Sequence, residues 1–169
     1  MLKYMLPSIL IASLCLTACS LQSRETVALS FPTAADCPLT QPPERRFIPP
    51  EPYPEYPGEG MFWFGNNGLW TAVPDNATWQ ALPHDEQGYT QKLFWWSQKY
   101  KDEEISELRV TGQQLDGAAT FTSDQATSGY HFDLQTFMLT GGKMPTAGCW
   151  QITGNFKGES LSYVVWIEP

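Results

Sequence analysis

From residue 58 onwards the sequence alternates short segments rich in aromatic and β-branched residues with turn-forming residues. Aromatic and β-branched side chains favour strands because they pack well on a pleated surface, whereas glycine and asparagine adopt the backbone conformations of hairpin turns. No segment has a helical period of comparable strength. We therefore predict an all-β domain with seven or eight short strands. The strand segments are residues 61–64, 69–73, 91–97, 107–115, 118–122, 137–140, 148–156 and 161–167.

The last two predicted strands indicate how such a domain packs. In segment 148–156 apolar side chains alternate with polar ones, which is typical of an antiparallel sheet with one face in water. Segment 161–167 is apolar on both faces, which predicts a more covered position. Two such sheets enclosing the aromatic side chains predict an immunoglobulin-like antiparallel β-sandwich over residues 58–169. The predicted inner face of the first strand consists of Trp150, Ile152 and Phe156, and its outer face of Cys149, Gln151, Thr153 and Asn155.

The segment before this domain is rich in proline. Residues 31–57 contain nine prolines, which lack a backbone donor and fix φ, so neither a helix nor a central strand is expected there. The run 49–54 is typical of extended polyproline II. We predict that residues 19–57 form a semi-rigid tether that carries the sandwich. A ligand for a proline-binding domain is the alternative.

The N-terminus has the three parts of an export signal. Lys3 is followed by the apolar run 6–16 and then by Leu16-Thr17-Ala18-Cys19, which resembles the lipobox of bacterial lipoprotein precursors. The resemblance implies that residues 1–18 are a signal peptide and that Cys19 receives the lipid that anchors the mature chain in a membrane. Ser20 favours the outer membrane if the host is Gram-negative. An ordinary signal peptide with a coincidental cysteine is the alternative.

The charge of the chain limits its partners. Ten basic and 18 acidic residues give a net charge of −8. Removal of residues 1–18 takes away one cation, Lys3, so the mature chain becomes more acidic still. A strongly acidic body argues against nucleic acid and against electrostatic docking on anionic lipid. The predicted partners are therefore the membrane, through the lipid, and another protein of the envelope.

Two cysteines remain in the mature chain besides Cys19. An exported protein enters an oxidising compartment, where pairing is expected, so we predict a disulfide between Cys37 and Cys149. Such a bond would attach the tether to the outer face of segment 148–156. Redox catalysis is the alternative, although the sequence has no Cys-x-x-Cys motif.

Few residues indicate catalysis or metal binding. His84 and His131 each lie beside acidic residues, but their spacing is not that of a zinc or copper site, so they are weak metal candidates. A Gly-x-Ser-x-Gly hydrolase motif is absent from the sequence. We predict a protein that is not an enzyme and has no cofactor.

Tryptophans are concentrated in the first half of the predicted sandwich. Trp95 and Trp96 are adjacent, so they point to opposite faces of their strand. An exposed row of Trp63, Trp70, Trp95 and Trp96 would be a platform for a sugar ring or a partner. The interpretation that we favour is that the tether or a long loop covers these rings.

Several motifs resemble a group of uncharacterised bacterial lipoproteins and secreted proteins. The most specific is the closing run from Gly148 to Gly154, Gly-Cys-Trp-Gln-Ile-Thr-Gly, together with Val-Val-Trp-Ile at 164–167 and Lys-Leu-Phe-Trp-Trp at 92–96. The resemblance implies a β-sandwich on a lipid tether and brings no catalytic residues. We therefore expect a non-enzymatic envelope lipoprotein that acts as a binding or structural module. A carbohydrate- or metal-binding accessory protein of the envelope is the alternative.

Overall fold

The computed structural model describes residues 33–102 and 105–169, so the predicted signal peptide and Cys19 lie outside the described residues. Within them the chain forms a short 3₁₀ helix, Ala34–Asp36, and eleven strands. The predicted all-β sandwich is confirmed. The strands are β1 Met61–Asn66, β2 Leu69–Pro74, β3 Thr78–Trp79, β4 His84–Asp85, β5 Gly88–Trp96, β6 Arg109–Gln114, β7 Thr120–Thr122, β8 Thr127–His131, β9 Gln135–Met144, β10 Gly148–Phe156 and β11 Glu159–Ile167.

The strands form two sheets. The first sheet has the order β1-β2-β5-β9-β8, with β4 paired to β5. The second has the order β3-β11-β10-β6-β7, and β3 runs parallel to β11 whereas the other pairs in the described part of the chain are antiparallel. The strand order matches that of an immunoglobulin sandwich. In the first sheet, strands A, B, E and D correspond to β2, β5, β9 and β8. In the second sheet, strands C, F and G correspond to β6, β10 and β11.

The described residues contain eleven strands rather than the predicted seven or eight. The three that the sequence pattern missed are β3, β4 and β8. β3 and β4 have two residues each, too few to show alternation. β8 is polar and largely exposed, and it pairs with β9 as an edge strand. Backbone pairing rather than burial of side chains defines it, so hydrophobic patterning does not reveal it.

The core between the sheets follows the predicted faces. Trp150, Ile152 and Phe156 on β10 are buried, and so is Tyr163 on β11. The centre is filled by Trp95 of β5, whose ring lies 5.8 Å from that of Tyr163. Trp95 requires a glycine opposite it, since a Cβ on residue 154 would lie 2.6 Å from its ring. The Trp95 ring therefore packs against the backbone of Gly154 and fills the space between the sheets without a steric clash.

The first sheet is apolar on its outer face as well. Four side chains there form a second buried cluster, made of Trp63, Trp70, Trp96 and Phe137. Phe47 and Tyr53 of the proline-rich segment pack on this cluster. The segment was predicted as a tether, but its described part, residues 33–57, belongs to the same compact unit as the sandwich. The segment forms a third layer on the first sheet, because it removes the apolar side chains of the sheet's outer face from water.

Candidate functional site

The predicted disulfide between Cys37 and Cys149 is confirmed, with the two Cα atoms 5.6 Å apart. Cys149 lies on the outer face of β10, as expected from its register. Next to the bond, the backbone N–H of Thr40 donates to the carbonyl of Val164 at 3.0 Å, and the Val164 N–H donates to the Thr40 hydroxyl at 2.8 Å. The disulfide therefore attaches the start of the proline-rich segment to β10, and the Thr40 hydrogen bonds attach it to β11.

The two histidines do not come together. His131 pairs with Gln135, the first residue of β9, whereas His84 pairs with Tyr89, which in turn pairs with Met144 at the other end of β9. The ten-residue length of β9 separates them by about 30 Å. In the described part of the chain no three His, Cys, Asp or Glu side chains are grouped as metal ligands. His84 and His131 thus cannot hold one metal ion between them.

The four tryptophans of the possible platform are all buried, with exposed fractions of 0 to 2%. Trp95 points into the core, and Trp63, Trp70 and Trp96 point to the outer face of the sheet. There the Trp63 indole N–H donates to the carbonyl of Pro54 at 2.9 Å, so the proline-rich segment covers the ring. An exposed platform is therefore replaced by a covered aromatic layer.

Tyr53 is a central residue of this cover. Its ring meets that of Trp70 edge-on at 5.2 Å. Burial raises the pKa of the Tyr53 hydroxyl above its ordinary value, because the ionised form would lose its hydration. Phe47 packs beside it, with its ring 5.9 Å from that of Trp70. The cover is thus held by aromatic contacts as well as by the disulfide.

A large concavity lies between the proline-rich segment and the outer edge of β1. We call it the β1 groove, and its volume is about 590 Å³. One wall is residues 43–48, the other is the end of β1, and Leu161 of β11 closes the floor. A groove of this size is within the range of ligand-binding clefts. It is lined by Pro43, Arg45, Arg46, Phe47, Ile48, Trp63, Phe64, Gly65, Asn66 and Leu161.

Two arginines give the β1 groove a positive rim. Arg45 and Arg46 are exposed, and Arg46 lies 5.7 Å from the ring of Tyr56. Among the described residues, neither guanidinium has a carboxylate within 4 Å. Arg45 and Arg46 are the only adjacent basic residues in the sequence, so they concentrate positive charge on the rim of a groove in an otherwise acidic chain. The sequence analysis did not single them out, although an adjacent arginine pair in an acidic chain was the signal available.

A narrower cavity of about 290 Å³ lies where β2 and β5 separate after only two residue pairs. Its polar groups are largely satisfied by neighbours. The Thr71 hydroxyl donates to the carbonyl of Phe94 at 2.8 Å, and the Lys92 N–H donates to the Gln91 side chain at 3.0 Å. At its floor, burial raises the pKa of Tyr163 well above the ordinary value, so its hydroxyl stays protonated. Among the described residues that line this cavity, Lys92 is the one cation, and it has no carboxylate within 4 Å, whereas the β1 groove has two such cations.

Comparison with models of protein families, with curated proteins and with solved structures found no match. The resemblance to bacterial lipoproteins and secreted proteins therefore stays a prediction. Among the described residues, no helix has the length and the apolar character needed to cross a bilayer.

Proposed function

We propose that this protein is a lipid-anchored lipoprotein of the bacterial cell envelope whose sandwich binds an acidic segment of a partner protein. The observation that carries the proposal is the β1 groove, which combines an apolar floor with Arg45 and Arg46 on its rim. Their missing counter-charges are what an acidic partner would supply. A buried apolar centre bordered by charged residues is typical of protein interfaces.

The other candidate functions have less support. Sandwich domains that stack on sugars need exposed aromatic faces, and Trp63, Trp70 and Trp96 are all buried. The proline-rich segment contacts Trp63 and Trp70, whereas the Trp96 indole N–H donates to the carbonyl of Leu134. A metal-binding function would need converging ligands, and His84 and His131 lie at opposite ends of β9. A partner protein is thus the ligand class that the geometry favours.

The location rests on the sequence around Cys19. Replacement of Cys19 by serine is expected to abolish lipidation, because serine lacks the thiol that forms the thioether, and to leave an uncleaved precursor. Metabolic labelling with a fatty-acid probe and mass determination of the purified chain measure both effects. Cys37→Ser is the matched control and is expected to keep the label. Equal labelling of wild type and Cys19→Ser would contradict the anchor.

The binding role is tested by cross-linking in cells. A photo-reactive amino acid replaces Ile48, which lines the β1 groove and is 56% exposed. We expect an adduct with an acidic protein segment from position 48 and none from Gln113, an exposed residue of the second sheet. The charge reversal Arg45→Glu/Arg46→Glu is expected to reduce the adduct about ten-fold or more, which corresponds to about 1.4 kcal/mol or more.

The control for this experiment is Lys92→Glu/Arg109→Glu, which makes the same change in net charge outside the β1 groove. It is expected to leave the adduct at position 48 unchanged. An adduct that is insensitive to reversal of Arg45 and Arg46, or that falls equally in the control, would contradict binding at the β1 groove.

A further inference from the structure

The backbone of β1 alternates between the neighbouring strand and the open edge. β1 and β2 pair in the register Phe62↔Val73 and Phe64↔Thr71, and the Asp75 N–H continues the ladder by donating to the Gly60 carbonyl at 2.9 Å. In an antiparallel pair, every second residue exchanges both backbone hydrogen bonds with the partner strand. The even-numbered residues therefore bond to β2, and the odd-numbered residues direct their N–H and C=O groups away from it.

Two of these outward residues, Trp63 and Gly65, line the β1 groove. Within the described residues, their backbone N–H and C=O groups have no hydrogen-bond partner across the edge. The facing segment 43–48 runs along the groove without pairing to β1. An unpaired strand edge is a template on which another extended chain can add. The β1 groove thus offers a ladder of backbone groups as well as two cations.

We propose that the partner's acidic segment binds in an extended conformation and adds to β1 as a new edge strand, between β1 and residues 43–48. This inference rests on the proposed function and specifies how the partner is recognised. Alternate side chains of an added strand point to opposite faces. One set meets the apolar Phe64 and Leu161, and the other reaches Arg45 and Arg46. The segment recognised is therefore one in which apolar and acidic residues alternate.

Charge distinguishes this occupant from two others. A second copy of the chain brings a net charge of −8 towards an equally acidic body, so its approach is opposed by repulsion. The chain's own residues 20–32 contain a single acid, Glu25, directly after Arg24. Neither supplies two carboxylates for Arg45 and Arg46 as readily as an acidic segment of another protein.

The test uses hydrogen exchange measured by NMR on the mature protein purified from the envelope in detergent. The probe is a capped heptapeptide of alternating valine and glutamate, and its control has lysine in place of glutamate. We expect the acidic probe to slow exchange of the Trp63 and Gly65 amides at least about ten-fold, because both gain a backbone acceptor. The Phe64 amide, already bonded to β2, is expected to be unchanged. The lysine peptide is expected to have no effect.

Two N-methylated forms of the acidic peptide test the direction of the bonds. Methylation of alternate residues on one edge removes the N–H groups that face β1, whereas methylation of the other residues leaves them in place. We expect binding to be lost for one form and retained for the other. Equal binding by both forms would overturn strand addition, since side-chain contacts alone do not distinguish them.

The remaining outcomes are separable. Peptide binding without protection of Trp63 and Gly65 overturns strand addition and leaves the proposed function standing. Protection of the Trp63 and Gly65 amides before the peptide is added also overturns strand addition by a partner. If dilution removes this protection, the β1 groove is occupied by a second copy of the chain. If dilution does not remove it, the groove is occupied by the chain itself. Failure of the peptide to bind, together with no adduct at position 48, overturns the proposed function as well.

Discussion

The double variant Phe47→Ala/Tyr53→Ala is expected to lower the free energy of unfolding by about 3–5 kcal/mol. Truncation of a fully buried aromatic residue to alanine costs about 3–5 kcal/mol, and these two side chains are each partly buried, so each contributes roughly half of that. Their loss uncovers Trp70, which contacts both rings. The outer aromatic layer of the first sheet would then be exposed to water.

Chemical denaturation followed by tryptophan fluorescence measures this effect. The native emission is expected to shift to longer wavelength, because Trp70 gains contact with water. Ile48→Ala is the matched control: it lies in the same segment but is 56% exposed, so a change within about 0.5 kcal/mol is expected. A double variant as stable as the control would mean that the contacts of Phe47 and Tyr53 with the first sheet contribute little to the free energy of unfolding.

Loss of the disulfide is expected to have an effect of similar size. Cys37 and Cys149 are 112 residues apart, and in the chain-entropy model a closed loop of that length stabilises the folded state by about 4–5 kcal/mol. Cys37→Ser/Cys149→Ser should approach that loss. The sandwich is expected to remain folded under mild conditions, since the core between the sheets does not depend on the bond.

Denaturation with and without a reducing agent measures this second prediction. The reductant is expected to destabilise the wild type by the same amount as the double substitution and to leave the double variant unchanged, which controls for effects of the reductant itself. Circular dichroism should show that the strands persist. A reductant effect below about 1 kcal/mol would mean that the reduced chain keeps the segment in place through Phe47 and Tyr53, and that the loop-entropy model overstates the contribution of this bond.

The strands that bury a face could be predicted from the sequence. The eight segments predicted from aromatic and β-branched residues each overlap an observed strand, and the inner face of β10 is the one expected from alternation. Strands β3, β4 and β8 could not be predicted in this way. They are short or polar, and they exist because neighbouring strands offer unpaired backbone groups, which is a property of the assembled sheet.

The position of the proline-rich segment could likewise be predicted only in part from the sequence. Its proline content correctly excluded a central strand and any long helix from the described part, although a three-residue 3₁₀ helix forms at Ala34–Asp36, and the cysteine count correctly predicted its attachment at Cys37. Composition could not show that Phe47 and Tyr53 would cover the outer face of the first sheet. The adjacent Trp95 and Trp96 required one ring on each face of the sheet. Whether the ring of Trp96 was exposed depended on Leu134 and Phe137, about forty residues later in the chain.

The sequence by itself determined the fold class, the faces of the main strands and the disulfide, because each depends on local alternation or on the identity of a few residues. Only the tertiary structure decided that the tryptophans are covered, that His84 and His131 are far apart, and that Arg45 and Arg46 line a groove beside the unpaired edge of β1. Those features depend on which segments meet across the sheets. A strand edge is unpaired, and a cation lacks a counter-charge, only in relation to neighbours that are remote in the chain.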